Sequence, residues 1–264
     1  MALRALLGMA RLARVIARIA QGHWRIRRDF AHMDAAQRAQ AVVQWSGQML
    51  EALGIELHTQ GKAPTHGPVL LVCNHVTWLD ILVLHACGHA RFVAKSEVHH
   101  WPLIGAMAAA AGTLFVERAS RRDAMRLVHQ MVACLRAGDV LAVFPEGTTS
   151  NGLGLLPFHA NLIQAAISAP APVLPVALRY LDAHSGQTSQ AVSFVGEETL
   201  VDSIWRTVCA RGLQVHLAWG EAQTADGRDR RVWARDLHQR VHALWLSVGG
   251  TASREAPQVL PNNL

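Results

Sequence analysis

PVLLVCNHVTWLDILV, residues Pro68 to Val83, is the stretch on which the reading of this chain turns. Its first six residues are apolar and aliphatic, the composition of a strand buried on both faces of a sheet. The run ends at Asn74 and His75. Thr77 is suited to cap a helix starting near Trp78, which puts Asp80 in a first turn where the positive helix end favours a carboxylate. His75 is thus predicted at the carboxyl end of a strand, with Asp80 able to fold back towards its ring. Such a partner would hold one imidazole nitrogen protonated and leave the other free to remove a proton from a hydroxyl. The competing reading is a strand-end histidine that caps the following turn. Spacing alone does not separate the two, because 15 histidines and 19 acidic residues in 264 positions give about one such pair by chance. His216 with Glu221 is a second case, in LQVHLAWGE, where His216 reads more simply as a sheet-face residue. Location favours chemistry at His75, since strand-to-helix junctions hold ligand sites in α/β proteins.

Outward from this stretch, strands and helices alternate. Strands are expected at Ile55–Thr59, Ala90–Lys95, Thr113–Glu117, Val140–Phe144, Pro172–Arg179, Ala191–Val195 and Leu213–Ala218. Pro172 and Pro175 argue for an edge or bulged position for their strand. Helices are expected at Asp34–Leu53, closed by Gly54, then at Ile81–Cys87, after Pro102, at Arg121–Ala137, within Leu155–Ser168, at Val201–Ala210 and at Val232–Trp245. The segment FPEGTTSNG, 144–152, is a fixed turn whose threonine, serine and backbone donors could hold an anion or a hydroxyl. It reads equally as an ordinary connection. Glu146 should face a partner at the cleft mouth, because a buried unpaired carboxylate is costly. His99 and His100 read as surface residues.

Apolar residues make up 51% of the chain and charged ones only 17%, below the usual value of about 25%, while the pI is about 9.9. Low charge with a basic balance points to a membrane surface. The basic character is local: residues 1–28 carry seven arginines and no acidic residue. On a helix, Arg4, Arg11, Arg14, Arg18 and Arg25 fall within an arc of about 80° on a broad apolar cylinder. Such a helix can lie in the headgroup region of a membrane, with Trp24 at the interface. Docking on the protein's own core, a signal peptide and a nucleic-acid arm are the other readings; arginines interrupt the apolar region that a signal would need, and no nucleic-acid-binding module follows. The longest uncharged apolar run, Leu103 to Val116, has 14 residues, short of the roughly 20 needed to cross a bilayer. Cys73, Cys87, Cys134 and Cys209 form neither a CxxC pair nor a zinc cluster and read as reduced thiols.

Taken together, NHVTWLD, GTLFVER, FPEGTTS and PVLPVAL resemble, in order and spacing, the motifs of the glycerolipid acyltransferase family, in particular its bacterial 1-acylglycerol-3-phosphate acyltransferases. The resemblance covers roughly residues 55–220. It implies an α/β domain with a mixed, mostly parallel sheet flanked by helices, here spanning 55–247. A membrane-associated helical hairpin (1–54) would precede it and a flexible tail (248–264) would follow. The resemblance also implies His75 as general base, Asp80 as its orienting partner, Arg118 in binding of the acceptor phosphate, and Glu146 and Gly147 in acceptor binding beside Thr148 and Thr149. Donors would be acyl-CoA or acyl carrier protein, with no cofactor and no metal. Third motifs of the family commonly carry arginine where this chain has Thr149, which removes a bidentate phosphate clamp. His159 also stands where a fixed cation is often found.

The expected function is therefore acyl transfer to the free hydroxyl of 1-acylglycerol-3-phosphate, giving phosphatidic acid, at the cytoplasmic face of a bacterial inner membrane. Expected partners are a lysolipid, the acyl donor and an anionic membrane surface, with no nucleic acid. A lyso-ornithine lipid O-acyltransferase is the alternative within the same chemistry, and a non-catalytic peripheral lipid-binding protein the alternative outside it. A serine hydrolase lacks its GxSxG elbow here.

Overall fold

The structure is a computed structural model and describes residues 2–117 and 120–248. Helix α1 (Ala2–Asp29) leads through a short 3-10 turn to α2 (Ala35–Leu53). Asp34 caps α2 through a reciprocal capping box with Gln37, and Gly54, at φ 76°, closes it in the left-handed conformation that glycine adopts without strain. The α/β part follows as β1 (Ile55–Gln60), β2 (Val69–Cys73), α3 (Leu79–Cys87), β3 (Arg91–Lys95), α4 (Ser96–His99), α5 (Ile104–Ala110) and β4 (Leu114–Val116). It continues with α6 (Arg121–Arg136), β5 (Val140–Val143), α7 (Gln164–Ser168), β6 (Val173–Asp182), α8 (Leu200–Cys209), β7 (Leu213–Trp219) and α9 (Arg230–Ser247).

Among the described residues the sheet has seven strands in the order β1-β7-β6-β2-β5-β3-β4. Every neighbouring pair is parallel except β6 with β7, so the sheet is mixed and mostly parallel. Each residue of β2 is buried. Val69, Leu71 and Cys73 join a core beneath α1, α2, α3 and α8, whereas Leu70 and Val72 join a second core beneath α6, α7 and α9. The period-2 alternation of a strand thus serves both layers at once, which is why the sequence reads as a continuous apolar run.

Several expectations need correction. Thr77 does not cap α3: the helix begins at Leu79, and the Asp80 carboxylate takes the backbone N–H groups of Val76 and Thr77 instead. The strand carrying Pro175 is central, between β7 and β2, rather than at an edge. Proline is tolerated because the ladder to β7 runs only from Val176 to Asp182; at Pro175 the carbonyl accepts from Gly220, just past the end of β7, and no N–H is required. Residues 191–195 form no strand. The carbonyls of Ala191 and Ser193 accept from the Arg206 guanidinium, and the Phe194 N–H donates to Val76 O, so their backbone groups are satisfied without a neighbouring strand. The tail beyond residue 248 lies outside the described residues.

Candidate active site

β2 and β5 are parallel neighbours, so their carboxyl ends deliver His75 and the 144–152 loop side by side. Asn74, fully buried, continues β2 with its side chain: its amide donates to Leu178 O at 3.0 Å and accepts from Leu178 N at 2.9 Å. His75 follows, with its ring stacked on Phe144 at a centroid distance of 4.0 Å and 9° between planes. The same residue is held by its backbone, since its N–H donates to Glu146 Oε1 at 3.0 Å and its carbonyl accepts from Ser150 N at 2.8 Å. The first and third sequence motifs are thereby one hydrogen-bonded unit.

His75 Nδ1 lies 2.7 Å from Asp80 Oδ2. That oxygen also accepts from Val76 N at 2.7 Å and Thr77 N at 3.0 Å, while Oδ1 accepts from the Tyr180 hydroxyl at 2.9 Å. The Asp80 side chain is 0% exposed and that of His75 19%. Surrounded by donors, the carboxylate fixes the imidazole proton on Nδ1 and leaves Nε2 as an acceptor. The arrangement can remove a proton from a hydroxyl brought to the exposed edge of the ring.

Glu146 is buried rather than at the cleft mouth, with Oε1 on His75 N and Oε2 accepting from Leu156 N at 3.1 Å. Burial pushes its pKa up to about 8 although both N–H groups pull it down. This carboxyl braces the loop. Gly147 is at φ 75°, and a Cβ there would stand 3.1 Å from the His159 ring, so the turn fits glycine. The Thr149 hydroxyl donates to Phe194 O. His159 is exposed, as are His99 and His100. Arg118 lies outside the described residues.

A cavity of about 550 Å³ opens at His75 and the 147–149 loop. Most of its wall is apolar and comes from α1, α2, α3 and α5, with Ile19, Trp45, Met49, Ile81 and Met107 as examples. Among the described residues, Lys95, at the carboxyl end of β3, and Arg25 are the lysine and arginine that line it. Reading the sequence in isolation missed Lys95, Tyr180 and the apolar wall. Tyr180 had a signal: positions 174, 176, 178 and 180 of a strand share a face, and a buried tyrosine needs a partner for its hydroxyl. The wall had none, because it is assembled from four helices far apart in sequence.

α1 departs from the expected picture of arginines directed at a membrane. Arg11 donates to Val208 O and Ala210 O at the end of α8, and Arg18 donates to Gln21 and Gln48. Much of its exposed surface is apolar: Leu6, Met9, Ile16 and Trp24 fall within an arc of about 80° opposite the arginine stripe, an arc that Arg27, exposed in the last turn, also enters. Among the described residues no helix is long and apolar enough to cross a membrane, and no group of side chains is arranged to hold a metal ion.

Comparison with known proteins identifies the setting of this geometry. Residues 54–179 match the family model described as Acyltransferase. A 1-acyl-sn-glycerol-3-phosphate acyltransferase of Neisseria meningitidis is 38% identical over 209 residues, 78% of this chain and 81% of the relative. A lyso-ornithine lipid O-acyltransferase of Pseudomonas aeruginosa is 37% identical over 214 residues, 80% and 81% of the two chains. The crystal structure of a 1-acyl-sn-glycerophosphate acyltransferase from Thermotoga maritima superposes with a TM-score of 0.70 at 19% identity, covering 93% of this chain and 95% of that one, a match of fold. The region matched by the family model contains the His75–Asp80 pair and Glu146, and the chain belongs to the glycerolipid acyltransferase family.

Proposed function

We propose that this chain moves a fatty acyl group from acyl-CoA or acyl carrier protein to the free hydroxyl of 1-acylglycerol-3-phosphate, giving phosphatidic acid. The observation that carries the reading is His75, fixed at 2.7 Å on Asp80 and opening onto an apolar cavity. The acceptor oxygen attacks the thioester carbonyl as His75 Nε2 takes its proton. A carbon–oxygen bond forms, the carbon–sulfur bond breaks, and the proton passes to the leaving thiolate. The reading requires neither cofactor nor metal. Acyl chain occupies the apolar wall, and Lys95 and Arg118 supply positive charge for the headgroup, with the Gly147, Thr148 and Thr149 loop alongside.

The exposed apolar arc of α1 supports seating at the cytoplasmic face of a bacterial inner membrane, with insertion rather than arginine–phosphate pairing as the main attraction. Ile16→Asp should then release the protein from anionic vesicles, whereas high salt should not. Release by salt alone would reverse that assignment.

A lyso-ornithine lipid is the second acceptor to test, because Thr149 stands where the resembling motifs commonly carry arginine and spends its hydroxyl on Phe194 O. Purified protein given a labelled acyl thioester and each acceptor separates the two by product mass. Vesicle binding without transfer to any acceptor would leave a lipid-binding protein and overturn the enzymatic reading.

A further inference from the structure

The chain contains one tyrosine, and it is buried against the carboxylate that orients His75. β6 runs past the end of β2. Asn74 binds it at Leu178, and two residues on, Tyr180 projects from the same face and donates to Asp80 Oδ1 at 2.9 Å. Oδ2, on the other side of the carboxylate, receives His75 Nδ1 and two backbone N–H groups. We propose that Tyr180 is a positioning residue: it locks the plane of the Asp80 carboxylate so that Oδ2 meets His75, and it draws charge away from that carboxylate so that the imidazole stays neutral to lower pH. This rests on His75 acting as the general base.

The second half of the proposal follows from electrostatics. A more negative carboxylate favours the imidazolium, which cannot take a proton, so each additional donor on Asp80 keeps His75 competent at a lower pH. The phenol is suited to donate throughout the working range, because burial and the neighbouring Asp80 push its pKa well up. Among the described residues, two other titratable groups face this cluster. The Cys73 thiol, at the end of β2, is pushed well up by burial and stays uncharged. Glu146, raised to about 8, loses its proton on the basic side and leaves the acid limb to the His75–Asp80–Tyr180 unit.

The test uses the full chain, the lysolipid acceptor and the pH profile of kcat. In Tyr180→Phe the acid limb should move up by roughly half to one pH unit and kcat should fall roughly three- to thirtyfold, with KM within twofold. Replacing all tyrosine with 3-fluorotyrosine alters position 180 alone, keeps the hydroxyl and makes it a stronger donor. The acid limb should then move down. Opposite displacements in the two proteins are an outcome that loss of packing would not produce, and the fluorinated protein keeps the test open if the phenylalanine variant does not fold. An unmoved acid limb in the fluorinated protein, while His75→Ala is inactive, overturns the role of Tyr180 and leaves the base in place. Full activity of His75→Ala overturns the base itself.

Discussion

His75 and His216 each stand five residues ahead of a carboxylate, and their surroundings could hardly differ more. After His75 the chain leaves β2 and turns into α3, which brings Asp80 back to 2.7 Å from the ring. After His216 it stays extended to Trp219. The three strand steps from His216 to Trp219 carry the chain roughly 10 Å away before Glu221, in the connection beyond β7, is reached. His216 stacks instead on His58, its register partner on β1, at a centroid distance of 4.6 Å. Burial and the facing His58 lower its pKa, so this ring is a neutral part of the sheet surface. A turn converts a spacing into a contact; a strand undoes it.

The largest effect should separate the two histidines. His75→Ala is expected to lower kcat for acyl transfer by roughly 10² to 10⁴, and His216→Ala to leave it within twofold. Comparable losses at both positions would break the contrast. Next come the carboxylates. Asp80→Asn should reduce kcat roughly 100-fold or more by favouring the wrong tautomer of His75, with Glu221→Gln unchanged in the same assay.

A smaller effect concerns stability. Glu146 titrates near 8 in the folded chain against an ordinary value of 4.5, so the folded state holds a proton that the unfolded state releases. Its contribution is fully present below about pH 4.5 and is lost as pH rises to about 8. Glu146→Gln, which cannot ionise, should flatten the fall in Tm across that window. An unchanged slope would show that Glu146 does not govern it. The smallest effect is expected at His216→Phe, which keeps a ring against His58 and removes a buried Nε2 that lacks a hydrogen-bond partner. Unfolding in urea should show stability unchanged or raised by a few tenths of a kcal/mol.

Much of the fold was legible because its strands are short apolar runs and its helices carry explicit end signals, such as Asp34 and Gly54 at the two ends of α2. The failures share a cause. Pro175 looked like an edge residue because the chain that meets it, around Gly220, is 45 positions away. Residues 191–195 looked like a strand because nothing local announces that Arg206 will satisfy their carbonyls. Within the site, His75 and Asp80 were legible as a local turn. The inward burial of Glu146 was not, since its partners are the backbone N–H groups of His75 and Leu156. The arginine stripe of α1 was periodic and easily seen, yet periodicity could not reveal that α2 and α8 would take up two of its members.

The crowding of donors around Asp80 also sets a direction for traffic. With Tyr180 on one oxygen, and His75 and two backbone groups on the other, the carboxylate is occupied on both sides. In the proposed reaction the imidazolium can therefore discharge only by the nitrogen through which it was loaded, towards the departing sulfur. One proton would enter with the acceptor and leave with the thiol, and each turnover would return the base to its starting state without drawing on solvent.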